Sequence, residues 1–279
     1  MALKLMYITN RPEIASIAER TGVDRIFIDM EYIGKSLRQG GMDTVQSHHT
    51  TEDIRAIRAV LKTAQIMVRC NPIHEKTEQY PSSQEEIDAA IAAGADILML
   101  PYFKTANEVR EFIRLVDGRA RTLPLVETPE AVACIDEILA LDGLDEIFVG
   151  LNDLSLGYGM KFMFELLANG TVECLCNKFK EKGIPYGFGG LASLEGGLLP
   201  GKMVLKEHYR LGSSCVILAR SFCNTAIVTA PSEVTRIFEE GLAKIRALEK
   251  ECVEHRMEAD YFERNRIDVT KIVKEIIGT

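Results

Sequence analysis

Leu123-Pro-Leu-Val-Glu127 and Ile147-Phe-Val-Gly-Leu-Asn-Asp153 are two short apolar runs that each stop at a carboxylate, with a helical pattern between them. One strand-plus-helix repeat separates the two acids. In a parallel α/β fold that spacing brings both out at the same end of neighbouring strands. Paired strand-end acids make a natural seat for a divalent cation. Taken singly, each reads equally as a helix cap, Glu127 ahead of Thr128-Pro-Glu and Asp153 within Asn152-Asp-Leu-Ser.

Outward from this pair the same alternation recurs. Eight β-rich runs can be counted: Leu3–Ile8, Arg25–Met30, Gln65–Cys70, Asp96–Leu100, Leu123–Glu127, Glu146–Gly150, Pro185–Phe188 and Ser214–Ala219. Most are almost continuously apolar, as strands of a parallel sheet buried on both faces should be. Helical patterns fall between them. Pro12 precedes Ile14, Ile17 and Ala18; Thr51-Glu-Asp precedes Ile54, Ile57, Val60 and Leu61; Ser83-Gln-Glu-Glu precedes Ile87, Ala90 and Ile91, with Gly22 and Gly94 as stop signals. The alternation predicts an α/β fold, a (β/α)8 TIM barrel occupying residues 1–279 as one domain, with 232–279 as a C-terminal helical extension. Within that extension a long helix is expected after Pro231, then a polar break at Tyr261–Arg266 and a short helix over Val269–Ile277. Such an appendage either packs on a neighbouring subunit or caps the barrel.

Composition narrows the function classes. The 279 residues are 47% hydrophobic and 27% charged with mean hydropathy +0.01, the profile of a soluble globular chain with ample core. A net charge of −8 and a pI near 5.3 speak against nucleic acid as a partner, because phosphate backbones are held by clustered Lys and Arg. No apolar run approaches the roughly 20 residues of a membrane helix, and the start Met-Ala-Leu-Lys-Leu-Met-Tyr lacks the long apolar core of a signal peptide. A cytoplasmic location without membrane contact is the expectation. The seven cysteines are scattered, with no Cys-x-x-Cys pair, and Cys174 and Cys176 point to different faces of a helical pattern. They read as reduced and structural.

Two connections, Tyr32–Thr50 and Asn71–Ser82, exceed the usual two to six residues of a βα loop, and both follow strands, on the face where barrels carry their chemistry. The first turn, Tyr7-Ile-Thr-Asn-Arg-Pro, lacks the glycines of a dinucleotide site. Gly187-Phe-Gly189-Gly-Leu-Ala192 matches that fingerprint only loosely, and the next strand ends at Ala219-Arg220 without the acid that would hold a ribose. Gly187, Gly189, Gly190, Gly196 and Gly197 fit a seventh-strand loop whose amides receive an anion, or a plain surface turn. Arg69 ends the third apolar run, so it must pair with a core acid such as Asp29 or Glu31, or hold a substrate carboxylate through its planar fork. His48 and His49, in the first long loop, are candidate acid/base groups, with solvated loop positions as the alternative. His74 follows Arg69-Cys-Asn-Pro, while His208 and His255 lie on helical patterns and read as surface residues. No strand carries an interior lysine for a Schiff base; Lys4 begins the first strand and Lys104 sits in the fourth-strand loop.

Phe27-Ile-Asp-Met-Glu31, Val68-Arg69-Cys-Asn71, Val126-Glu127-Thr128 and Phe148-Val-Gly150-Leu-Asn-Asp153-Leu-Ser-Leu-Gly-Tyr-Gly159 together resemble the HpcH/HpaI aldolase and citrate lyase β-subunit family, in order from about Met1 to Phe222. The resemblance implies a metal-dependent barrel enzyme that makes or breaks carbon–carbon bonds beside a keto acid or acyl thioester. It implies Mg²⁺ or Mn²⁺ on Glu127 and Asp153, and Arg69 on the substrate carboxylate or enolate. Glu31 would organise metal-bound water or the site's base, and Leu151, Asn152, Gly189 and Gly190 would line the substrate. It further implies a homo-oligomer, a trimer or hexamer, with a small 2-keto acid and an aldehyde as partners. One position departs from the aldolase branch: a histidine follows the residue matched by Glu31 there, and Tyr32 stands in its place here. Lys35, Arg38 and the Val-Arg-Cys-Asn run lean toward the citrate lyase branch. The expectation is a class II aldolase acting through a pyruvate enolate, with Glu31, His48 and His49 as candidates for the proton. Two alternatives stay open: acyl-CoA ester lysis, with Lys35, Arg38, Lys161 and Lys202 at the mouth, and a barrel that binds a keto acid without turning it over.

Overall fold

The computed structural model describes residues 2–35 and 47–278. Eight parallel strands close on themselves in sequence order: β1 (Lys4–Ile8), β2 (Arg25–Asp29), β3 (Gln65–Arg69), β4 (Ile97–Leu100), β5 (Arg121–Val126), β6 (Ile147–Val149), β7 (Tyr186–Leu191) and β8 (Cys215–Leu218). Their side chains alternate, as a two-residue period demands. Met6, Phe27, Met67, Ile97, Met99, Leu123, Leu125, Phe148 and Cys215 fill the barrel interior. Leu5, Tyr7, Ile26, Ile28, Ile66, Val68, Leu98 and Leu100 belong to the larger core shared with the surrounding helices. Both faces of each strand are thus apolar, which is why the runs read as continuous. Thr50, Ser82 and Thr105 start their helices with capping boxes completed by Asp53, Glu85 and Glu108.

The floor of the barrel is polar, and its buried carboxylate is paired from within. Arg25 is fully buried and gives two hydrogen bonds to Glu146, at 2.7 and 2.6 Å, and Arg121 reaches the same carboxylate at 2.7 Å. A buried carboxylate held by two guanidinium groups meets the rule that interior charge must be paired.

Three expectations need correction. First, β7 does not stop at Phe188 but runs on through Gly189 and Gly190 to Leu191, with a register irregularity against β8 between Gly187 and Gly190. Gly187 explains the close approach: a Cβ there would lie 2.3 Å from the carbonyl oxygen of Cys215. Second, Tyr261–Arg266 is helical. The chain forms one helix over Pro231–Glu254 and another over Ala259–Ile277, and the break falls between them. The polar run hides a one-sided face, with Phe262 buried and Asn265 donating to the Met203 carbonyl at 3.1 Å and to Glu207 at 2.8 Å. Both helices pack on their own barrel, and Glu249 accepts the backbone amide of Leu3 at 2.7 Å. Third, His208 is fully buried, its ring stacked on Phe188 at 3.9 Å and its Nδ1 2.9 Å from the Ser213 hydroxyl. All seven cysteines are free thiols, Cys174 exposed and Cys176 buried as the spacing suggests. Among the described residues no helix is long and apolar enough to cross a membrane.

Burial lowers the His208 pKa from 6.5 to about 3. As pH falls, the unfolded chain therefore takes up this proton before the folded one does. The stability this group contributes is complete above pH 6.5 and declines from there toward pH 3, by about 1.4 kcal/mol per pH unit. Urea titrations between pH 7 and 4 should show a shallower loss of stability for His208→Gln than for the wild type, and parallel curves would refute the assignment.

Candidate functional site

The acids and bases of the upper rim gather because strand register places them side by side. Asp29 ends β2 and Arg69 ends β3, and the two are paired across the sheet. Arg69 donates through Nε and Nη2 to the two oxygens of Asp29, each at 2.8 Å, and lies over the Phe27 ring at 5.5 Å. Lys35 completes the contact, its Nζ 2.7 Å from Asp29 and 3.5 Å from Glu31. Burial alone would raise the Asp29 pKa, but the charges of Arg69 and then Lys35 hold it well below the usual carboxylate range. Glu31 is buried and lies 3.4 Å from Nη1 of Arg69. The chain beyond it is tied down by Asn71, which accepts the amides of Tyr32 and Ile33 at 2.8 and 2.9 Å and is itself gripped by Glu86.

Glu127 follows β5 and is buried, with Oε1 accepting the amide of Tyr102 at 2.9 Å. To present that amide, Tyr102 adopts a φ of +48°, uncommon for a residue with a Cβ. Gly150 makes room on the other side, since a Cβ there would sit 2.8 Å from Oε2 of Glu127. Burial pushes the Glu127 pKa well above the carboxylate range, and the charges of Glu31 and Asp153 add to the rise against the opposing pull of Arg69 and the Tyr102 amide. Asp153 lies in the first turn of the short helix Leu151–Gly157, with the Asn152 amide 3.2 Å from its Oδ1. Among the described residues, the carboxyl groups of Asp29, Glu31, Glu127 and Asp153 thus share the rim with the cations Arg69 and Lys35.

Glu127 and Asp153 border two hollows. The inner one, of about 530 Å³, opens into the barrel mouth and is lined by Arg69, Leu151, Asn152, Gly189 and Gly190 among others. The outer one, of about 470 Å³, is bounded by Tyr102, Lys104, Pro129, Glu130 and Leu156. Among the described residues no group of three or more His, Cys, Asp or Glu side chains stands ready-made around a metal position.

The remaining candidates divide. His49 is buried, not solvated, and its Nδ1 accepts the amide of Asp29 at 3.0 Å. That bond fixes the neutral tautomer with its proton on Nε2, and burial lowers the pKa despite the nearby charges of Asp29 and Asp53. His48 is exposed and stacks on Tyr32, with ring centroids 5.9 Å apart. His74 braces the second long loop through the Pro72 and Pro81 carbonyls. Lys35 is not at the mouth but buried against Asp29 and Glu31, whereas Lys202 pairs with Glu195 and Lys161 reaches the Ile277 carbonyl. Lys104 is exposed and pairs with Glu130 at 2.9 Å. Arg38 lies outside the described residues. The reading of residue types missed Lys35 as an interior lysine because it comes from a loop rather than a strand, and nothing in the sequence marks the backbone role of Tyr102.

Comparison with known proteins places this geometry. Residues 4–163 match the profile of the HpcH/HpaI aldolase/citrate lyase family. A hydroxypyruvate/pyruvate aldolase of Roseovarius nubinhibens is 27% identical over 160 residues, covering 46% of this chain and 61% of that protein. A protein of the same name from Sagittula stellata is 32% identical, covering 26% of this chain and 41% of its own. The match therefore spans about three fifths of the first relative and two fifths of the second. The crystal structure of an HpcH/HpaI aldolase from Desulfitobacterium hafniense superposes with a TM-score of 0.61 at 17% identity, over 86% of this chain and 93% of that one, a likeness of fold. The chain belongs to the HpcH/HpaI aldolase/citrate lyase family.

Proposed function

We propose that this chain is a carbon–carbon lyase of the class II aldolase type, cleaving or forming the bond between a pyruvate-type enolate and an aldehyde. The observation that carries the reading is that Glu127 and Asp153, both buried, border the barrel-mouth cavity together with Arg69. Glu127 and Asp153 offer oxygen donors from successive strands, the chemistry that Mg²⁺ or Mn²⁺ takes, so the residues present fit a divalent cation. Bound there, the cation would supply Lewis acidity to the keto group. The relatives named hydroxypyruvate/pyruvate aldolases support a small 2-keto acid as the nucleophilic partner.

The chain's own groups have separable tasks in this reading. Asp29 occupies two of the three guanidinium nitrogens of Arg69, so Arg69 serves less as a fork for a carboxylate than as a fixed charge. Preorganised charge beside a developing enolate oxygen is often the largest single catalytic contribution. Glu31, buried between Arg69 and Lys35, would take the hydroxyl proton of the 4-hydroxy-2-keto acid by way of a water in the cavity as the C3–C4 bond breaks and its electron pair passes to the enolate. His49 holds the end of β2 through the Asp29 amide, a positioning role. Acyl-CoA lysis draws little support, because Lys35, Lys161 and Lys202 are engaged elsewhere.

Exchange of pyruvate methyl protons in D₂O, followed by NMR with Mg²⁺ or Mn²⁺ and with chelator, tests the reading. Cation-dependent exchange is the expected result, and pyruvate that binds without exchanging would overturn it. Saturating Mn²⁺ should raise the thermal midpoint of the wild type by several degrees, about 2.7 kcal/mol at a hundredfold excess over Kd. Glu127→Gln should lose that rise while being no less stable in chelator, since burial and two neighbouring carboxylates already disfavour the ionised form of Glu127. An equal Mn²⁺ shift in Glu127→Gln and Asp153→Asn would place the cation elsewhere. Arg69→Lys keeps the charge but not the two bonds to Asp29, and kcat should fall about 10²-fold. Wild-type turnover in that variant would remove Arg69 from the mechanism.

A further inference from the structure

We infer that the second substrate of this site is an apolar aldehyde, carrying an aliphatic or aromatic tail rather than a carboxylate, phosphate or hydroxylated chain. The inference rests on the aldolase reading above and names the acceptor that reading leaves open. Its ground is the uneven lining of the inner cavity. Arg69, Glu127 and Asp153, the only charged side chains lining it among the described residues, belong to its catalytic end. Beyond them the wall is built by Phe162, Met163, Phe164, Leu198, Leu199 and Val204.

Two segments supply that wall. One leads from the helix Leu151–Gly157 into the short helix Glu165–Ala168, where the Phe162 and Phe164 rings pack edge to face with centroids 5.3 Å apart. The other follows β7, where Leu199 is buried and Leu198 is 73% exposed at the lip. Gly189 fits the same design: its φ is +54°, and a Cβ there would come within 2.7 Å of Leu151, which also lines the cavity. Among the described residues, a carboxylate or phosphate on the acceptor would be desolvated against this wall with no cation to meet it. Sugar-like hydroxyls would find few side-chain partners there beyond Asn152 and Ser221. The volume of about 530 Å³ exceeds what a three-carbon keto acid needs and falls in the range of pockets that enclose larger ligands.

In the condensing direction the enolate C3 attacks the aldehyde carbonyl carbon. The new C–C bond forms, the carbonyl π pair moves to oxygen, and that oxygen takes a proton to give the 4-hydroxy-2-keto acid, its tail lying along the apolar wall. The test is kcat/KM with pyruvate for ethanal, butanal and hexanal, set against glyceraldehyde and succinic semialdehyde. The value should rise about threefold per added methylene, with hexanal well above both polar aldehydes. A flat series, a preference for glyceraldehyde or succinic semialdehyde, or pyruvate proton exchange without condensation of any aldehyde would overturn the inference. Leu198→Asp, at an exposed position, should lower the hexanal-to-ethanal ratio; an unchanged ratio counts against the wall as the specificity element. Proton exchange of pyruvate alone reports separately on the aldolase reading. Were exchange absent, saturation-transfer NMR with 1-hexanol and glycerol would still decide, since hexanol must contact the cavity's aromatic protons and glycerol must not.

Discussion

The pairing of Asp29 with Arg69 is the contact on which the upper rim depends. It is imposed by the β2–β3 register, which puts the last residue of one strand beside the last of the next. From this pair the arrangement spreads: Lys35 is drawn inward onto Asp29, Glu31 comes to lie between Lys35 and Arg69, and the imidazole of His49 takes the Asp29 amide. Removing one partner of a buried ion pair leaves the other uncompensated, typically at a cost of about 3–5 kcal/mol. The network therefore holds the Arg69 side chain in one orientation at the cavity edge. Its rigidity suits a group whose task is to present charge at a fixed point.

The two ends of the barrel solve the same electrostatic problem differently. At the floor, the one carboxylate of Glu146 is shared by two guanidinium groups, Arg25 and Arg121. At the rim, among the described residues, four carboxyl groups crowd around Arg69 and Lys35, and Tyr102 holds an uncommon backbone conformation to reach one of them. An uncommon backbone conformation and crowded carboxylates at the rim, set against a fully paired carboxylate at the floor, follow the usual division of a barrel into a functional and a stabilising face.

How much of this was legible in the residues depended on whether the information was local. The eight strands could be read because burial on both faces leaves an unbroken apolar signature, and the helices opening at Thr51-Glu-Asp and Ser83-Gln-Glu-Glu because polar residues and early acids mark their first turns, each directly after its cap, Thr50 or Ser82. Glu127, Asp153 and Arg69 could be singled out because charge at the end of an apolar strand is unusual. The extension of β7 through Gly189 and Gly190 was hidden, since glycine ordinarily signals a turn and only the proximity of β8 gives it a place in a strand. The burial of Lys35, His49 and His208 was hidden for a related reason: each is polar, and its partners lie on other elements. The break before Ala259 lies where composition is uninformative, while Tyr261–Arg266 looks polar only until its buried face is counted.

The bond from the Leu3 amide to Glu249 joins residues 246 positions apart, and β1 also waits for β8 before the barrel can close. A chain emerging from the ribosome at about 5–20 residues per second would thus carry the unpaired edge of β1 for on the order of ten seconds or more before its partners exist. Parallel edges are templates for unwanted pairing. The arrival of β8 is the event that ends this interval, and the helix Pro231–Glu254 then seals the start of β1 through Glu249.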